Sequence, residues 1–232
     1  MRSLLLLIPA LVCQAQEPSL PAQLAKAQRL TVDDLQTLQA RLLADPAPAA
    51  QKEYYGLYLG YVLASRDPKA REALLERTVK ALEGTRDPAR MALLGGCLGL
   101  KISLSPMSGI SLGPKAMGLF DEALAKSPGD PRIQTLRGVH ILHTPAFVGG
   151  GADAAIPVLQ AAVAAAAKEA APADPWAPAW GRVESLSWLA LAQAKAGKKA
   201  EAMATVQQAR ALDPDNGFLD SMVLPALAET GK

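Results

Sequence analysis

Residues 180–217 read WGRVESLSWLALAQAKAGKKAEAMATVQQARALDPDNG, and this stretch decides the fold of the chain. Apolar and small residues recur in it at intervals of three and four, the spacing that places side chains on one face of a helix. Gly197 divides the stretch into two such segments, and the turn-forming residues 213–217 end the second. Small side chains let two helix backbones approach closely, so the stretch predicts a helix–turn–helix pair. The predicted contact faces carry Leu186, Leu189, Ala190 and Gln193 in the first helix and Ala202, Val206 and Ala209 in the second.

The composition of the whole chain agrees with an all-α fold. Of the 232 residues, 50% are hydrophobic but only 4% are aromatic, which is enough apolar surface for a substantial core built from small side chains. Alanine favours helices, and runs of Val, Ile and Thr typical of strands are missing. Several prolines fall where helices are expected to begin or end, positions that tolerate proline.

The same helix-pair pattern recurs before the deciding stretch. Three further pairs are predicted near residues 49–83, 88–128 and 131–169. Two less regular helices, 21–30 and 31–44, precede them, and a closing helix is expected over 218–229. Because one pair cannot bury its apolar face alone, stacking of the pairs would form the core.

Three irregular segments interrupt this pattern. Residues 104–113 and 144–151 both lie in the link between the two helices of a pair, so they are expected to emerge along the same edge of the stack. The third segment, residues 171–180, contains too much proline for a helix and holds Trp176 and Trp180.

The deciding stretch resembles a tetratricopeptide repeat (TPR), a helix–turn–helix unit of about 34 residues. Its consensus positions are filled by Leu189, Ala190, Ala202, Val206, Ala209 and Pro214. The resemblance implies an all-α, right-handed α-solenoid of TPR-like helix pairs, with N-terminal cap helices and a C-terminal capping helix. It also implies that the first helices line a concave surface. The expected domains are a linker and cap over 16–48 and a repeat domain over 49–232.

A second resemblance covers about residues 116–214. Thr144-Pro145, the run from Phe147 to Gly151 and Pro178-Ala-Trp-Gly181 are similar to a pattern in a group of exported bacterial repeat proteins. That resemblance implies no defined activity.

The N-terminus predicts export. Arg2, the apolar run 4–12 and a small-residue site near Ala15 are typical of a secretory signal, so residues 1–15 are expected to be removed. The protein is therefore predicted to be periplasmic or secreted, with no stable membrane span. Cys13 is an alternative lipid-anchor cysteine, although Val12 precedes it where Gly, Ala or Ser is usual. A net charge of +2 with interspersed signs gives no indication of nucleic-acid binding.

Two neighbouring features are candidate binding sites. Gly149, Gly150 and Gly151 precede a predicted helix N-terminus, where backbone amides can bind an anion. The alternative is a turn that needs positive φ angles, with Phe147 packed into the core. His140 and His143 are three residues apart and share a helix face, but further metal ligands are missing nearby, so helix packing and a capping role for His143 are the favoured interpretation.

Aromatic residues supply the other candidates. Trp176 and Trp180 could clamp a peptide or ligand, or could pack the proline-rich segment against the helices. Tyr58 is expected to face the groove, whereas Tyr54 and Tyr61 are expected in the core. Cys97 is interpreted as a small core residue rather than a reactive thiol. No catalytic motif, metal site or cofactor site is recognised, so an enzymatic role is not expected.

These observations favour a binding function. The first hypothesis is an exported TPR-like scaffold that binds a protein or peptide partner through its concave groove and inserted loops. The alternative is a periplasmic small-molecule binding protein or transporter accessory protein. The predicted binding residues are Tyr58, His143, Phe147, Gly149, Gly150, Gly151, Trp176 and Trp180.

Overall fold

The computed structural model describes residues 18–229, and over these residues the chain is all-α with no strand. The predicted signal sequence 1–15 and Cys13 lie outside the described residues. The helices are α1 (Leu20–Leu24), α2 (Val32–Ala44), α3 (Ala49–Arg66), α4 (Arg71–Leu82), α5 (Pro88–Leu104), α6 (Gly109–Lys126), α7 (Pro131–His143), α8 (Ala152–Lys168), α9 (Arg182–Lys195), α10 (Lys199–Leu212) and α11 (Leu224–Glu229). In the described part of the chain, no helix is long and apolar enough to cross a membrane.

Side-chain caps define where several helices begin. Thr31 accepts a hydrogen bond from the backbone N–H of Asp34 at the start of α2. Asp87 and Asp130 cap α5 and α7 in the same way, and each is followed by a proline at the first helical position. These signals are local, which is why the sequence alone placed these boundaries correctly.

The deciding stretch forms the pair α9 and α10 as predicted. All the contact residues named for the two faces are buried. Gly197 adopts φ +75° in the turn between the helices, a conformation that favours glycine. One buried polar pair lies within this interface: the Thr205 hydroxyl donates to Gln193 Oε1 at 2.8 Å. Gln193 is therefore satisfied although it occupies a core position.

The first helices of the four pairs, α3, α5, α7 and α9, run parallel and side by side. Arg90 pairs with Glu53 across α5 and α3, and the Tyr61 ring contacts Gly96 further along the same two helices. Gly96 and Gly99 on α5 likewise face Leu136 and His140 on α7. Because the first helices share one direction, the links that follow their C-terminal ends lie at one edge of the molecule.

The insertion predicted over residues 104–113 is mostly helical. Helix α6 begins at Gly109, and Pro114 lies inside it. Leu112 extends the buried stripe Ala116, Phe120 and Ala123 by one turn and packs half-buried against the core. Pro114 follows the irregular segment 104–113 and is expected from the sequence at a helix start, but the apolar stripe continues before it and the helix begins earlier.

The N-terminal segment also differs from the prediction. The helix expected over 21–30 is limited to α1 and a 3-10 turn at Ala27–Arg29. Residues 24–29 then cross to α9 instead of covering only the open end of the helix pairs. At the other end of the chain, a π turn at Leu219–Val223 precedes α11, next to Pro225.

Candidate binding surfaces

The two links at the C-terminal ends of α5 and α7 expose large apolar side chains. Phe147 is 89% exposed, Ile110 78% and Met107 77%. We call this set the loop edge, and its members are Leu104, Met107, Ile110, Phe147 and Val148. Gly99 on α5 faces His140 on α7, so the α5 and α7 links start one helix spacing apart. The alternative in which Phe147 packs into the core is therefore wrong, and an exposed apolar cluster of this kind is typical of an interaction surface.

The glycine run forms a closed turn. Gly149 and Gly151 adopt φ +87° and +96°, and a Cβ on Gly150 would lie 2.3 Å from the carbonyl oxygen of Thr144. All three glycine N–H groups donate to backbone carbonyls within the turn, those of Ala146, Pro145 and Ile141. The amides of Gly149, Gly150 and Gly151 are therefore already used and do not offer an anion site. The geometry fits the alternative of a turn that needs positive φ.

The two histidines at the end of α7 have different surroundings. His140 is buried with its ring 5.6 Å from the Phe120 ring, whereas His143 is exposed on one side and meets the Trp188 ring edge-on at 6.0 Å. Desolvation by the surrounding protein lowers the pKa of both, and the positive charge of Lys195 adds to this for His143. No group of three or more metal-ligating side chains occurs among residues 18–229.

The tyrosines of α3 and the tryptophans of the proline-rich segment form one aromatic cluster. The Tyr58 and Trp180 rings stack at 4.7 Å, and Trp180 Nε1 donates to the Tyr54 hydroxyl at 3.1 Å. Tyr58 and Trp180 are fully buried, while Trp176 is half-buried against Tyr55. Tyr58 was predicted to face an open groove, but its ring is buried against Trp180. The tryptophans hold the 171–180 segment against α3, the packing alternative raised from the sequence.

Arg132 fixes the same segment from the other side. Its guanidinium pairs with Asp130 and Glu169 and donates to the backbone carbonyl of Pro178 at 3.0 Å. Burial works against the positive charge, but Glu169 and Asp130 raise the pKa of Arg132 above its ordinary value. The C-terminal part of the segment is therefore held by hydrogen bonds to Tyr55 on α3 and Arg132 on α7.

The side of α3 and α9 that faces the N-terminal segment forms a second surface. We call it the inner face and define it by Tyr58 and Arg66 on α3 and Glu184 and Trp188 on α9. Residues 24–29 lie on it: Leu24 and Ala27 are fully buried, and Trp188 Nε1 donates to Gln28 Oε1 at 2.9 Å. Arg66 donates to the Gln28 carbonyl and stacks over the Phe218 ring at 5.4 Å.

Arg29 anchors this segment. Its Nε donates to Glu184 at 2.9 Å and its Nη1 to Asp213 at 2.7 Å. Glu184 is buried and also accepts the Gly181 N–H at the start of α9. Burial lowers the pKa of Arg29, yet the two carboxylates outweigh it and raise that pKa overall. This triad was not predicted, although Glu184, a charged residue inside an otherwise apolar repeat stripe, was a signal for it in the sequence.

Two shallow depressions, of about 280 and 450 Å³, lie between α6 and α8 on the side of α7. Gln134, Arg137 and alanines of α8 line them, and neither is lined by a histidine, methionine, cysteine or tyrosine. Cys97 is buried elsewhere in the core, where desolvation raises the pKa of its thiol to about 12.

Comparison with known proteins gives one structural likeness. No protein-family model matches the chain, and no curated protein matches it. The TPR assignment therefore stays a prediction. Among solved structures the protein is similar to the HusA haemophore from Porphyromonas gingivalis, with a TM-score of 0.56 and 24% sequence identity over 75% of this chain and 91% of that chain. At this identity the likeness shows the fold alone, which is all-α.

Proposed function

We propose that the protein is an exported, TPR-like α-solenoid that binds a peptide segment of a partner protein on its inner face. The observation that supports this proposal is the way residues 24–29 lie against α3 and α9. They are held by contacts that a peptide ligand would make: a charged anchor, a backbone carbonyl and two buried apolar side chains. The proposal assigns a binding role and no reaction.

The contacts on the inner face define the chemistry of the proposed ligand. Glu184 and Asp213 form a pair of carboxylates that accepts a planar guanidinium, so the ligand should carry an arginine. Arg66 donates to a backbone carbonyl, a group that every peptide offers. The fully buried positions of Leu24 and Ala27 accept one leucine and one small residue in the ligand.

In this proposal the chain's own residues 20–30 keep the inner face closed until a partner displaces them. A tethered segment acts at an effective concentration on the order of millimolar, so only a partner that binds more tightly, or is locally abundant, competes with it. An open inner face would leave the buried carboxylate of Glu184 and the half-buried one of Asp213 without Arg29, a liability for a protein without its partner.

Exchange of a cleaved segment tests this proposal. A protease site inserted between Leu30 and Thr31 of the full-length chain allows the folded protein to be cut, which leaves Thr31 in place as the cap of α2. A fluorescent synthetic peptide of residues 18–30 is then added, and its uptake is followed by anisotropy. We expect saturable exchange, at least tenfold weaker for the peptide with Arg29→Ala.

Two results of this experiment would contradict the peptide-binding proposal. If the cut protein loses its helical circular dichroism when the segment leaves, or never exchanges it, residues 20–30 are a permanent part of the fold. The peptide-binding proposal would then be wrong. Export through residues 1–15 is tested separately, by N-terminal sequencing of the mature protein from its native host.

A second candidate function is binding of a planar apolar ligand such as haem. The structural likeness to a protein described as a haemophore favours it. His143 at the end of α7 and Met107 in the α5–α6 link are exposed side chains of types that could ligate haem iron, and the lowered pKa of His143 favours its neutral form near pH 7. The shallow depressions between α6 and α8 offer no such ligand, so this candidate depends on the loop edge.

Haemin titration distinguishes the two candidates. Haem binding predicts a shifted Soret band that saturates at one equivalent and weakens in His143→Ala and Met107→Ala. An unchanged spectrum would exclude the haem candidate and leave the peptide proposal intact. The titration is made on the uncut protein, because His143 contacts Trp188, which in turn donates to Gln28 of the N-terminal segment.

A further inference from the structure

The loop edge carries the most exposed apolar side chains of the links between paired helices. Met107, Ile110, Phe147 and Val148 are between 62% and 89% exposed, and each lies in or next to a short turn between helices. The polar residues between them are small, mainly serines such as Ser105, Ser108 and Ser111. Apolar side chains at projecting turns, separated by small hydroxyl residues, suit the boundary between water and hydrocarbon.

The charges beside these turns have one predominant sign. Lys101 and Lys115 flank the α5–α6 link, and no acidic residue occurs from residue 91 to residue 120. None occurs either from residue 138 to residue 152, which covers the α7–α8 link. The exposed apolar tips are therefore bordered by cations and by no nearby carboxylate in the same links.

The neighbouring helix turn extends the cationic border. Lys198 in the α9–α10 turn pairs with Asp153 at the start of α8 at 3.3 Å, which places this turn beside the glycine turn. Asp153 is the carboxylate closest in sequence to the loop edge, and Lys198 already balances it. Lys195 and Lys199 lie in the same turn. The α3–α4 link, at the far end of the same edge, carries Lys69 and Arg71 alongside Asp67 and Glu72 and so adds no net charge.

We propose that the loop edge docks on an anionic lipid bilayer surface. Phe147, Met107 and Ile110 insert below the headgroups, and Lys101, Lys115 and the lysines of the α9–α10 turn lie at headgroup level against lipid phosphates. Two turns from adjacent pairs insert together, which fixes the orientation of the helices above the membrane. A protein surface is a poorer fit, because the apolar side chains project singly from convex turns and do not line a recess.

This surface shares no residue with the inner face, so its test is independent of the peptide proposal. Docking on the membrane would leave α3 and α9 free to bind a partner. Membrane docking should depend both on apolar insertion and on charge. Vesicle binding can therefore be tested with an apolar variant and with a charge variant.

Vesicle flotation tests the proposal on the full-length mature chain. Vesicles of phosphatidylethanolamine and phosphatidylglycerol should carry the protein, and vesicles of phosphatidylcholine alone should carry at least tenfold less. The triple variant Met107→Ser, Ile110→Ser and Phe147→Ser should lose at least tenfold of the partitioning. The charge variant Lys101→Glu with Lys115→Glu should lose binding in low salt, where the wild type binds best.

A matched control is available on α2. Leu43 is 79% exposed but lies away from the links of the loop edge, so Leu43→Ser removes a comparable side chain. It should partition like the wild type. All variants should keep the wild-type melting temperature, since the substituted side chains are exposed. The proposal is overturned if the wild type does not float with anionic vesicles, or if Leu43→Ser weakens flotation as much as the triple variant does.

Discussion

Gly138 shows at the scale of one residue how closely the helices of a pair approach. A Cβ at this position would lie 2.6 Å from Leu159 Cδ2 on α8. Gly138→Ala should therefore lower the free energy of unfolding by about 1–3 kcal/mol through overpacking. Gly118 on α6 has nothing within 4 Å of the same position, so Gly118→Ala should raise it by about 0.5–1 kcal/mol. Urea denaturation of the two variants measures the contrast, and equal effects would contradict the close packing of α7 on α8.

The histidines of α7 make stability depend on pH in one direction. The pKa values of His140 and His143 are lowered in the folded protein, so the unfolded chain binds more protons just below about pH 6.5. Their contribution is complete above that pH and is lost as the pH falls toward the folded pKa values. The free energy of unfolding should thus decrease between pH 7.5 and 5.5.

The double variant His140→Gln with His143→Gln isolates this effect. Carboxylates titrate alike in both proteins, so the difference between variant and wild type reports the histidines. Urea denaturation at the two pH values should show a smaller loss of stability on acidification in the variant. An equal or larger loss in the variant would contradict the lowered pKa values.

Single residues also show what the sequence could and could not predict about the binding surfaces. The buried contact positions of α9 and α10 were predictable because spacing determines which face of a helix a residue occupies. The exposure of Phe147 could not be predicted, because the direction of a side chain in a turn depends on backbone angles that the sequence pattern does not specify. Tyr58 has the spacing of a groove residue, but Trp180, a residue far along the chain, covers it.

At the scale of an element, α6 tests how an apolar stripe sets the start of a helix. Leu112 packs half-buried against the core because α6 begins at Gly109, whereas Ile110 in the same turn is 78% exposed. Leu112→Ala should cost about 1–2 kcal/mol of unfolding free energy, and Ile110→Ala less than about 0.5 kcal/mol. Thermal and urea denaturation measure both. Equal, negligible costs would mean that residues 109–113 form a loop, as the sequence suggested.

Helix ends were predicted well where a side chain caps the helix and poorly where packing against other helices determines the end. Thr31, Asp87 and Asp130 carry their signal in the local sequence. The start of α6 and the short length of α1 have no such local signal, because both depend on packing against distant parts of the chain. Proline alone was a misleading guide to the start of α6.

At the scale of the whole molecule, the order and direction of the helix pairs were predictable, but the path of the N-terminal segment was not. Arg29 reaches Glu184 and Asp213 across 155 and 184 residues of sequence. A periodic pattern in the sequence indicates which residues share a helix face, and it gives no information about contacts between residues so far apart in the chain. The all-α class was correct because it follows from local spacing, whereas closure of the inner face results from pairing between distant charges.

Native-state hydrogen exchange tests the central claim, that residues 20–30 can be displaced from the inner face of the intact protein. Amides of residues 24–30 should exchange through an opening whose free energy lies well below that of global unfolding, while the amides of α5 and α9 exchange only with global unfolding. Arg29→Ala should speed exchange in residues 24–30 without changing it in α5. If residues 24–30 instead exchange only when the whole protein unfolds, they are a fixed part of the core and the inner face is not a binding surface.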